Sequence, residues 1–385
     1  MKVLGLIVEY NPLHNGHLHH INESKKLVNP DVTIAVMSGH FTQRGEPACT
    51  TKWNRAQTAL EFGVDLVIEL PYAYSNQSAD FFAIGAISIL NHIGATHLVF
   101  GSESGSIQEL TNLANTMDDS KTIEKLKEKL KTGLNLPNAY AEINPSLTGS
   151  NNTLGIQYIR AINQLKADIS PLTISRFASN YNDQTPNHKN ITSATSIRKM
   201  IDENIDYSDY VPKIVLDPHV TLQTWDNHYK YLRHKLLTAR PYELEKIHDM
   251  VEGIENRLIK AAKNSNDFND FINEVKTKRY TQTRIQRICA NVLTGLTKED
   301  IKDWNLLKGT QYIRVIGFNK TGSLYLKLIK ENIEIPIYST FSNNSHPMLK
   351  QELQVTSAFA SVYDSNYMSE IISQEYCAKP VIASR

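Results

Sequence analysis

Short apolar runs alternate with longer segments of helical spacing through the first half of the chain. The runs of strand length are Val3–Val8, Asp31–Met37, Leu66–Leu70, His97–Phe100 and Leu172–Ser175. Between them, apolar residues recur at helical intervals in Ala79–Ile93 and Leu154–Leu165. Unalternating apolar strands separated by helices are typical of a parallel sheet covered on both faces. The pattern predicts an α/β fold with a Rossmann-like doubly wound parallel sheet, which binds ligands beyond the carboxyl ends of its strands.

Helical patterns dominate from about Ile205 onward. The clearest are Tyr242–Lys260 and Thr283–Leu296, and the second carries a single apolar stripe. The other predicted elements are strands at Tyr312–Phe318 and Ile335–Tyr338 and a helix at Ser323–Lys330. We therefore predict two domains, an α/β domain over residues 1–204 and a mainly α-helical C-terminal domain over residues 205–385.

The strongest candidate for chemistry follows the first strand. A turn containing Pro12 leads into the H-N-G-H segment His14–His17, which opens a predicted helix. Two histidines three residues apart lie on one side of a helix, whose first N–H groups and dipole favour an anion. Imidazole N–H groups there can stabilise a phosphorus centre on which negative charge builds. The alternatives are a metal-binding pair or incidental surface histidines, since His19 and His20 follow directly.

A second candidate is the S-A-T-S-I-R segment Ser193–Arg198. Hydroxyl groups followed by a cation on the first turn of a helix can hold a phosphate, although the string alone is a common helix start. With H-x-G-H near the start of an α/β domain, it resembles the HIGH-type nucleotidyltransferase superfamily. That resemblance implies ATP bound at the strand ends and attack on its α-phosphate.

Longer motifs extend over nearly the whole chain. They are GLIVEYNPLHNGH (Gly5–His17), MSGHFTQRGEPA (Met37–Ala48), KWNRA (Lys52–Ala56), DLVIELP (Asp65–Pro71), FGSE (Phe100–Glu103), SNN (Ser150–Asn152), SATSIR (Ser193–Arg198) and YIRVIGFN (Tyr312–Asn319). Together they resemble the bacterial tRNA(Met) cytidine acetate ligase family. That resemblance implies that ATP and acetate form acetyl-adenylate and pyrophosphate. The acetyl group then passes to N4 of the wobble cytidine of elongator tRNA(Met), giving N4-acetylcytidine.

The resemblance also implies the residues that bind ATP. The main segment consists of Ile7, Val8, Glu9, Tyr10, Asn11, Pro12, Leu13, His14, Asn15, Gly16, His17, Leu18, His19 and His20. Further contacts are expected from Gly101, which ends a strand, from Asn152, which opens a helix, and from Arg176, which leaves a strand.

The first chemical step suggests how these groups act. Acetate is a poor nucleophile, so holding it in line with the α-phosphate is the main task. His14 and His17 would stabilise the pentavalent phosphorus. The leaving pyrophosphate would be held by Thr195, Ser196 and Arg198, which makes His14, His17 and Arg198 the expected catalytic residues. Mg²⁺ would neutralise the triphosphate with few protein ligands, because the sequence has no carboxylate cluster spaced for one.

Three further sites carry open questions. Lys52 and Arg55 are candidates either for phosphate contacts or for a solvated helix face. His40 stands where the family pattern has an acidic or amide residue, and Tyr181–Asp183 carries Asn where the pattern has His. The roles of these positions are therefore not assigned.

A tRNA partner requires a basic surface. The clearest candidate, the basic strip, consists of Lys276, Lys278, Arg279, Arg284 and Arg287. Tyr280 lies within it and is expected to be able to stack on a base. The alternative is the ordinarily charged edge of a helix.

Composition narrows the class of protein. The chain has 41 Lys and Arg against 40 Asp and Glu, a net charge of +1, which excludes coating of nucleic acid by bulk charge. Cys49, Cys289 and Cys377 are far apart, so neither a zinc finger nor a disulfide scaffold is expected. The longest apolar stretch, Ala83–Leu90, is too short to span a bilayer. We expect a cytoplasmic enzyme with ATP, acetate and elongator tRNA(Met) as partners, and with neither DNA nor a membrane.

Two other functions share an ATP site of this kind. An adenylyltransferase could act on a small phosphorylated metabolite, but such an enzyme needs no long C-terminal part. A nucleotide-sensing or RNA-binding module could carry a degenerate site. The presence of His14, Gly16, His17 and Arg198 argues against degeneracy.

Overall fold

The computed structural model describes residues 1–117, 119–132, 136–143, 149–175, 190–212, 222–342, 344–377 and 379–383. The strands in this part are β1 (Val3–Val8), β2 (Val32–Ser38), β3 (Leu66–Leu70), β4 (His97–Ser102), β5 (Ser170–Ser175), β6 (Ile313–Phe318), β7 (Ile337–Tyr338) and β8 (Val381–Ile382). The predicted strands β1 and β3 have the bounds expected from the sequence, and the other predicted strands differ at one or both ends. Arg176 and Tyr181–Asp183 lie outside the described residues.

Helices surround these strands. The first nine are α1 (Asn15–Val28), α2 (Lys52–Glu61), α3 (Tyr72–Ser75), α4 (Ala79–His92), α5 (Ile107–Thr116), α6 (Ser120–Lys131), α7 (Leu136–Ile143), α8 (Ser150–Leu165) and α9 (Ala194–Asp202). The others are α10 (Trp225–Thr238), α11 (Pro241–Leu244), α12 (Ile254–Asn264), α13 (Phe268–Val275), α14 (Gln282–Thr294), α15 (Lys298–Trp304), α16 (Lys320–Ile329), α17 (Pro347–Ala360) and α18 (Ser365–Cys377). None of these helices is long and apolar enough to cross a bilayer.

The strands of the described part form one sheet in the order β5-β4-β1-β2-β3-β6-β7, with β8 also pairing with β6. The pairings among strands β1 to β5 are all parallel, as predicted. The chain runs outward from β1 to β2 and β3 and then returns to β4 on the other side of β1. The strand order therefore reverses between β1 and β4, and such a switch point is where open α/β sheets bind ligands.

The sheet separates two apolar cores. Alternate residues of β1, among them Leu4 and Leu6, pack against α1 and α2 on one face. On the other face, residues such as Ile34 and Ile68 join a larger core that includes α4, α8, α10, α14 and α17. Both faces of the central strands are thus buried, which explains why the strand sequences are apolar without alternation.

The C-terminal part also contributes to the sheet, which the sequence patterns did not indicate. Strand β6 pairs antiparallel with β3, with Leu66 opposite Phe318 and Glu69 opposite Arg314. Strands β7 and β8 lie along the other edge of β6. The boundary at residue 204 stays a prediction, but the two predicted parts share one sheet.

The single helix predicted over Tyr242–Lys260 is wrong. It is divided into α11 and α12, and between them Asp249 and Glu252 have φ of 66° and 60°. Gly253, with φ of 75°, is the N-cap of α12. A left-handed backbone at consecutive positions cannot continue a right-handed helix, and hydrophobic spacing alone does not reveal it.

Candidate active site

A cavity of about 260 Å³ lies at the carboxyl ends of β1, β4 and β5, beside the switch point. Its lining residues are Ile7, Val8, Glu9, Tyr10, Asn11, His14, Gly16, His17, His19, His20, Gln43, Arg44, Glu46, Phe82, Phe100, Gly101, Ser150, Asn151, Leu154, Tyr158, Ile174, Ser175, Ile191, Thr192, Ser193, Ala194 and Arg198. The N-termini of α1, α8 and α9 meet here. The N-termini of α1 and α9 favour anions, so the position suits a phosphorylated ligand.

The two predicted histidines lie side by side at the start of α1. His14 is the N-cap residue, and its ring centroid is 3.8 Å from that of His17. The Gly16 N–H donates to His14 Nδ1 at 3.1 Å, and the His14 N–H donates to His17 Nδ1 at 3.2 Å. Because each Nδ1 accepts a hydrogen bond, each neutral ring carries its proton on Nε2. The cavity wall therefore holds two neighbouring imidazole donors.

Gly16 has a steric role in this arrangement. A Cβ atom at residue 16 would lie 2.8 Å from Cε1 of the His14 ring. The absence of a side chain thus leaves room for the His14 ring above the first turn of α1. The H-x-G-H spacing is a requirement of this packing as well as of the chemistry.

Arg198 reaches the same wall from α9. Ser193 caps this helix by accepting the Ser196 N–H at 3.1 Å. Arg198 donates from Nη1 to the Asn11 carbonyl and from Nη2 to Glu46 Oε2, both at 2.8 Å. Its Nη2 also lies 3.3 Å from Thr195 Oγ1. The structure therefore brings the guanidinium group of the S-A-T-S-I-R segment to the turn that follows β1.

Asn152 does not line the cavity and instead joins the start of α8 to the segment that follows β4. Its Oδ1 accepts the N–H groups of Glu103 and Ser104 at 3.0 and 3.2 Å. In return, the Glu103 carboxylate accepts the N–H groups of Asn151 and Asn152 at 3.1 and 2.7 Å. A protein carboxylate thus occupies the anion-favouring end of α8.

The predicted ATP-binding residues that the structure describes divide into two groups. Those that line the cavity are Ile7, Val8, Glu9, Tyr10, Asn11, His14, Gly16, His17, His19, His20, Gly101 and Arg198. Those outside its lining are Pro12, Leu13, Asn15, Leu18, Asn152, Thr195 and Ser196. Leu13 is buried in the core beside α1, and Asn15 Nδ2 donates to the carbonyls of Asn190 and Asp209. Such residues hold the wall in place.

A turn that sequence reasoning did not assign also lines the cavity. Gln43, Arg44 and Glu46 belong to the M-S-G-H-F-T-Q-R-G-E-P-A motif, which was the available signal. The Gln43 N–H donates to Glu9 Oε1 at 2.7 Å. Burial raises the pKa of Glu9; the Gln43 N–H opposes this rise, and the nearby Glu46 adds to it. The cavity is thus polar at one end, whereas Phe82, Phe100 and other side chains make it apolar elsewhere.

Neither interpretation of Lys52 agrees with the structure. Lys52 is fully buried, and its Nζ lies 2.7 Å from both Glu69 Oε1 and Glu375 Oε1. Arg314 reaches the same carboxylates, with Nη2 2.5 Å from Glu375 Oε2 and Nη1 3.3 Å from Glu69 Oε2. Glu352 accepts the Tyr72 N–H at 2.5 Å nearby. We call Lys52, Glu69, Arg314, Glu352 and Glu375 the buried ionic cluster.

Arg55 is also neither solvated nor part of the cavity lining. Its Nη1 donates to the carbonyls of Glu9 and Ser38 at 2.7 and 3.0 Å, and its Nη2 donates to the Gly39 carbonyl. Burial lowers the pKa of Arg55 to about 10, while nearby Cys49 and carboxylates oppose the change. The guanidinium therefore ties together the carboxyl ends of β1 and β2.

His40 belongs to the interior beside the buried ionic cluster. Its Nδ1 lies 3.1 Å from Thr356 Oγ1, and its ring stacks on Phe359 with centroids 4.5 Å apart. Burial lowers the pKa of His40 well below its usual value, and the neighbouring cations Lys52 and Arg55 add to this. A neutral histidine therefore occupies the position where the family pattern has an acidic or amide residue.

The basic strip is less uniform than the sequence suggests. Lys276, Lys278 and Arg279 are exposed, but Arg279 pairs with Glu252, and Arg284 lies 3.8 Å from Asp249. Burial lowers the pKa of Arg287, which is only partly accessible.

The stacking role expected for Tyr280 is wrong in this structure. The residue is buried, its hydroxyl donates to the Val251 carbonyl at 3.0 Å, and Arg284 covers its ring at 4.9 Å. A ring closed in this way offers no face to a base.

The fold and the cavity define a class of protein. A doubly wound parallel sheet with H-x-G-H at its switch point is a nucleotide-binding architecture. Residues 1–375 match the family model described as HIGH Nucleotidyl Transferase. The chain therefore belongs to the HIGH nucleotidyltransferases.

The relatives match over almost their full length. The chain is 39% identical to the tRNA(Met) cytidine acetate ligase of Anoxybacillus flavithermus, over 99% of this chain and 100% of the relative. It is 38% identical to the protein of that name from a Geobacillus species, with the same coverage. Among solved structures, apo TmcAL of Thermotoga maritima superposes with a TM-score of 0.91 at 32% identity. The form bound with alpha-thio ATP gives 0.88 at 31%. Both cover 100% of each chain. The identity and coverage of the curated relatives show that the chain belongs to the tRNA(Met) cytidine acetate ligase family.

Proposed function

We propose that this chain forms acetyl-adenylate from ATP and acetate and then transfers the acetyl group to N4 of the wobble cytidine of elongator tRNA(Met). The observation that carries the proposal is the pair of Nε2 donors of His14 and His17 at the switch-point cavity. Full-length relatives that are named for this reaction support it, as does a similar structure holding alpha-thio ATP.

In the first step, the chain's own residues act by position and charge. ATP would place its α-phosphate beside His14 and His17, whose Nε2–H groups donate to its oxygens as negative charge develops. Arg198, which bonds to the turn after β1, would hold the departing pyrophosphate. Apolar lining residues such as Phe100 and Tyr158 would receive the uncharged base.

Mg²⁺ would enter with the triphosphate and offset its charge. The described residues contain no group of three or more His, Cys, Asp or Glu side chains that could hold a metal. Glu9 and Glu46 are the carboxylates that line the cavity, and Glu46 is engaged with Arg198. The donor set therefore fits a metal that is held mainly by phosphate oxygens.

The second step needs no protein nucleophile, because acetyl-adenylate is already activated. The cytidine N4 would attack the acetyl carbonyl and lose a proton, and AMP would leave. The wobble base would leave its stacked position and enter the cavity. The basic strip would contact tRNA phosphates through its exposed members, Lys276, Lys278 and Arg279. We also propose that the chain divides into two domains near residue 204 and that the C-terminal helices contribute to tRNA binding.

Acetate-dependent exchange of pyrophosphate into ATP tests the first step. We expect exchange with acetate and ATP alone, and none when acetate is omitted or replaced by a small phosphorylated metabolite. Exchange that requires a phosphorylated metabolite instead would assign the cavity to an adenylyltransferase. No turnover with acetate and tRNA together would point to a degenerate nucleotide-binding module.

A further inference from the structure

The turn from Phe41 to Pro47, closed by a bridge between those two residues, contacts the cavity and the C-terminal helices at once. On the cavity side, the Gln43 N–H donates to Glu9 Oε1 at 2.7 Å. Its Nε2 also donates to the Gln77 carbonyl at 2.8 Å. The turn is thus fastened to the end of β1 and to the segment preceding α4.

The other side of the turn is docked on two C-terminal helices. Trp225 of α10 donates its Nε1–H to the Gly45 carbonyl at 3.0 Å. Gly45 has φ of 76°, and a Cβ atom there would lie 2.3 Å from the backbone nitrogen of Arg287 in α14. No side chain fits between the turn and α14, so this close approach requires glycine.

Glu46, the residue after Gly45, forms an ion pair with Arg198 in the wall of the cavity. Glu46 Oε2 accepts from Arg198 Nη2 at 2.8 Å, while Arg198 Nη1 bonds to the Asn11 carbonyl at the same distance. Both side chains of this ion pair are mostly shielded, with 16% of Arg198 and 25% of Glu46 exposed. Two fixed acceptors on different turns determine where the guanidinium lies.

We infer that Glu46 is a positioning residue for Arg198, and that α14 sets its place through the close approach of the backbone at Gly45. The inference rests on the proposed function, in which Arg198 holds the leaving pyrophosphate. It adds that α14, which carries Arg284 and Arg287 of the basic strip, also fixes the position of the guanidinium group that would hold the pyrophosphate.

A double-mutant cycle tests the positioning role. Kinetics of acetate-dependent ATP–pyrophosphate exchange are measured for wild type, Glu46→Ala, Arg198→Ala and the double variant. Glu46→Ala should lower kcat by about tenfold to a hundredfold, as misplacement of a reacting group does. The KM for ATP should not rise, because the variant also removes a negative charge near the triphosphate. Glu46→Gln, which keeps an acceptor for Nη2, should recover part of the rate.

The cycle separates positioning from general damage. In the Arg198→Ala background, Glu46→Ala should change kcat by less than about threefold, since the positioned group is gone. Additive effects on kcat would overturn the inference, as would a wild-type kcat in Glu46→Ala. A wild type without acetate-dependent exchange would instead contradict the proposed function and remove the basis of the inference with it.

The docking on α14 has a matched control directly after the same helix. Gly295 follows α14 with φ of 75°, and a Cβ atom there meets nothing within 4 Å. Gly45→Ala and Gly295→Ala place alanine at φ of 76° and 75°, but only the first collides with α14. Gly45→Ala should reproduce the lowered kcat of Glu46→Ala, whereas Gly295→Ala should keep the wild-type value. Equal kcat values in both glycine variants would overturn the role of α14, and the cycle above decides the role of Glu46 even where Gly45→Ala fails to fold.

Discussion

The cavity and the buried ionic cluster both contain charged residues of the characteristic motifs, yet their surroundings differ. In the cluster, Lys52 and Arg314 each contact two carboxylates and are closed off from solvent. In the cavity, the imidazole donors of His14 and His17 and the guanidinium of Arg198 line a space large enough for a ligand. Charges satisfied by other side chains hold a fold together, whereas charges arranged around a space can bind a substrate.

Removing the imidazole donors should give the largest effect on activity. Asparagine at residue 14 or 17 can keep an acceptor where Nδ1 stood, and it caps helices well, but it has no group at the Nε2 position. His14→Asn and His17→Asn should each lower acetate-dependent pyrophosphate exchange by about 10²-fold to 10³-fold. tRNA binding, measured by filter retention, should remain.

Glutamine at residue 17 is the matched variant, because its amide can reach the Nε2 position. His17→Gln should retain more exchange than His17→Asn. Wild-type exchange in either asparagine variant would remove the catalytic role of that histidine.

The buried ionic cluster should respond in stability instead. Lys52→Met leaves carboxylates buried without their cation and should lower the free energy of unfolding by about 3–5 kcal/mol. Lys129, which pairs with Glu142 at the surface with 43% and 47% of the two side chains exposed, is the control. Lys129→Met should cost no more than about 1 kcal/mol. Similar urea midpoints for the two variants would mean that the cluster is not a stabilising interaction.

The cluster also predicts a pH dependence. It contains two cations and three carboxyl groups, and burial together with nearby Glu69 raises the pKa of Glu352 to about 8. Burial opposes ionisation of Glu375 too, but Lys52 and Arg314 lower its pKa to about 2. Glu352 is therefore the carboxyl group that stays protonated in the folded chain at neutral pH.

The raised pKa of Glu352 determines whether stability rises or falls with pH. Its contribution to stability is fully present below the unfolded pKa of about 4.5 and is lost as the pH rises through the folded value of about 8. Relative to wild type, Glu352→Gln should gain stability between pH 5 and pH 8, by at most about 1.4 kcal/mol per pH unit. Urea unfolding of both proteins across this range measures the difference, and a constant difference would show that Glu352 is ionised in the folded protein.

The smallest effect is expected at the surface, where charges are neither enclosed nor arranged around a cavity. Lys278→Glu with Arg279→Glu should weaken tRNA affinity and flatten its dependence on salt, by a slope of about one for each phosphate that the protein no longer binds. Lys327→Glu with Lys330→Glu makes the same change in net charge on and after α16 and should alter the slope less. Equal effects of the two pairs would place the tRNA surface elsewhere.

The sequence was sufficient where the determinants are local. The strands β1 and β3 follow from apolar runs, and the H-N-G-H segment folds as a helix start because its own side chains cap it. The parallel order of β1 to β5 follows from alternation with helices. These features depend on residues that are neighbours in the chain.

Partners far apart in the chain explain what the sequence did not reveal. The role of Lys52 depends on Glu375, which lies on the last helix of the described part, and that of Arg55 depends on carbonyls of two strands. A lysine in a motif looks the same in the sequence whether its side chain binds a phosphate or a buried carboxylate. The strand at Tyr312–Phe318 was predicted, but its antiparallel pairing with β3 was not, since that pairing joins residues far apart in the chain.

The central claim is that the cavity makes an activated acetyl group for a tRNA base. The most direct measurement is incubation of the protein with ATP, labelled acetate and total tRNA, followed by nucleoside analysis. We expect label in N4-acetylcytidine of elongator tRNA(Met), dependent on ATP and absent with His17→Asn. Label that fails to enter this nucleoside, while the same preparation catalyses acetate-dependent pyrophosphate exchange, would contradict the claim.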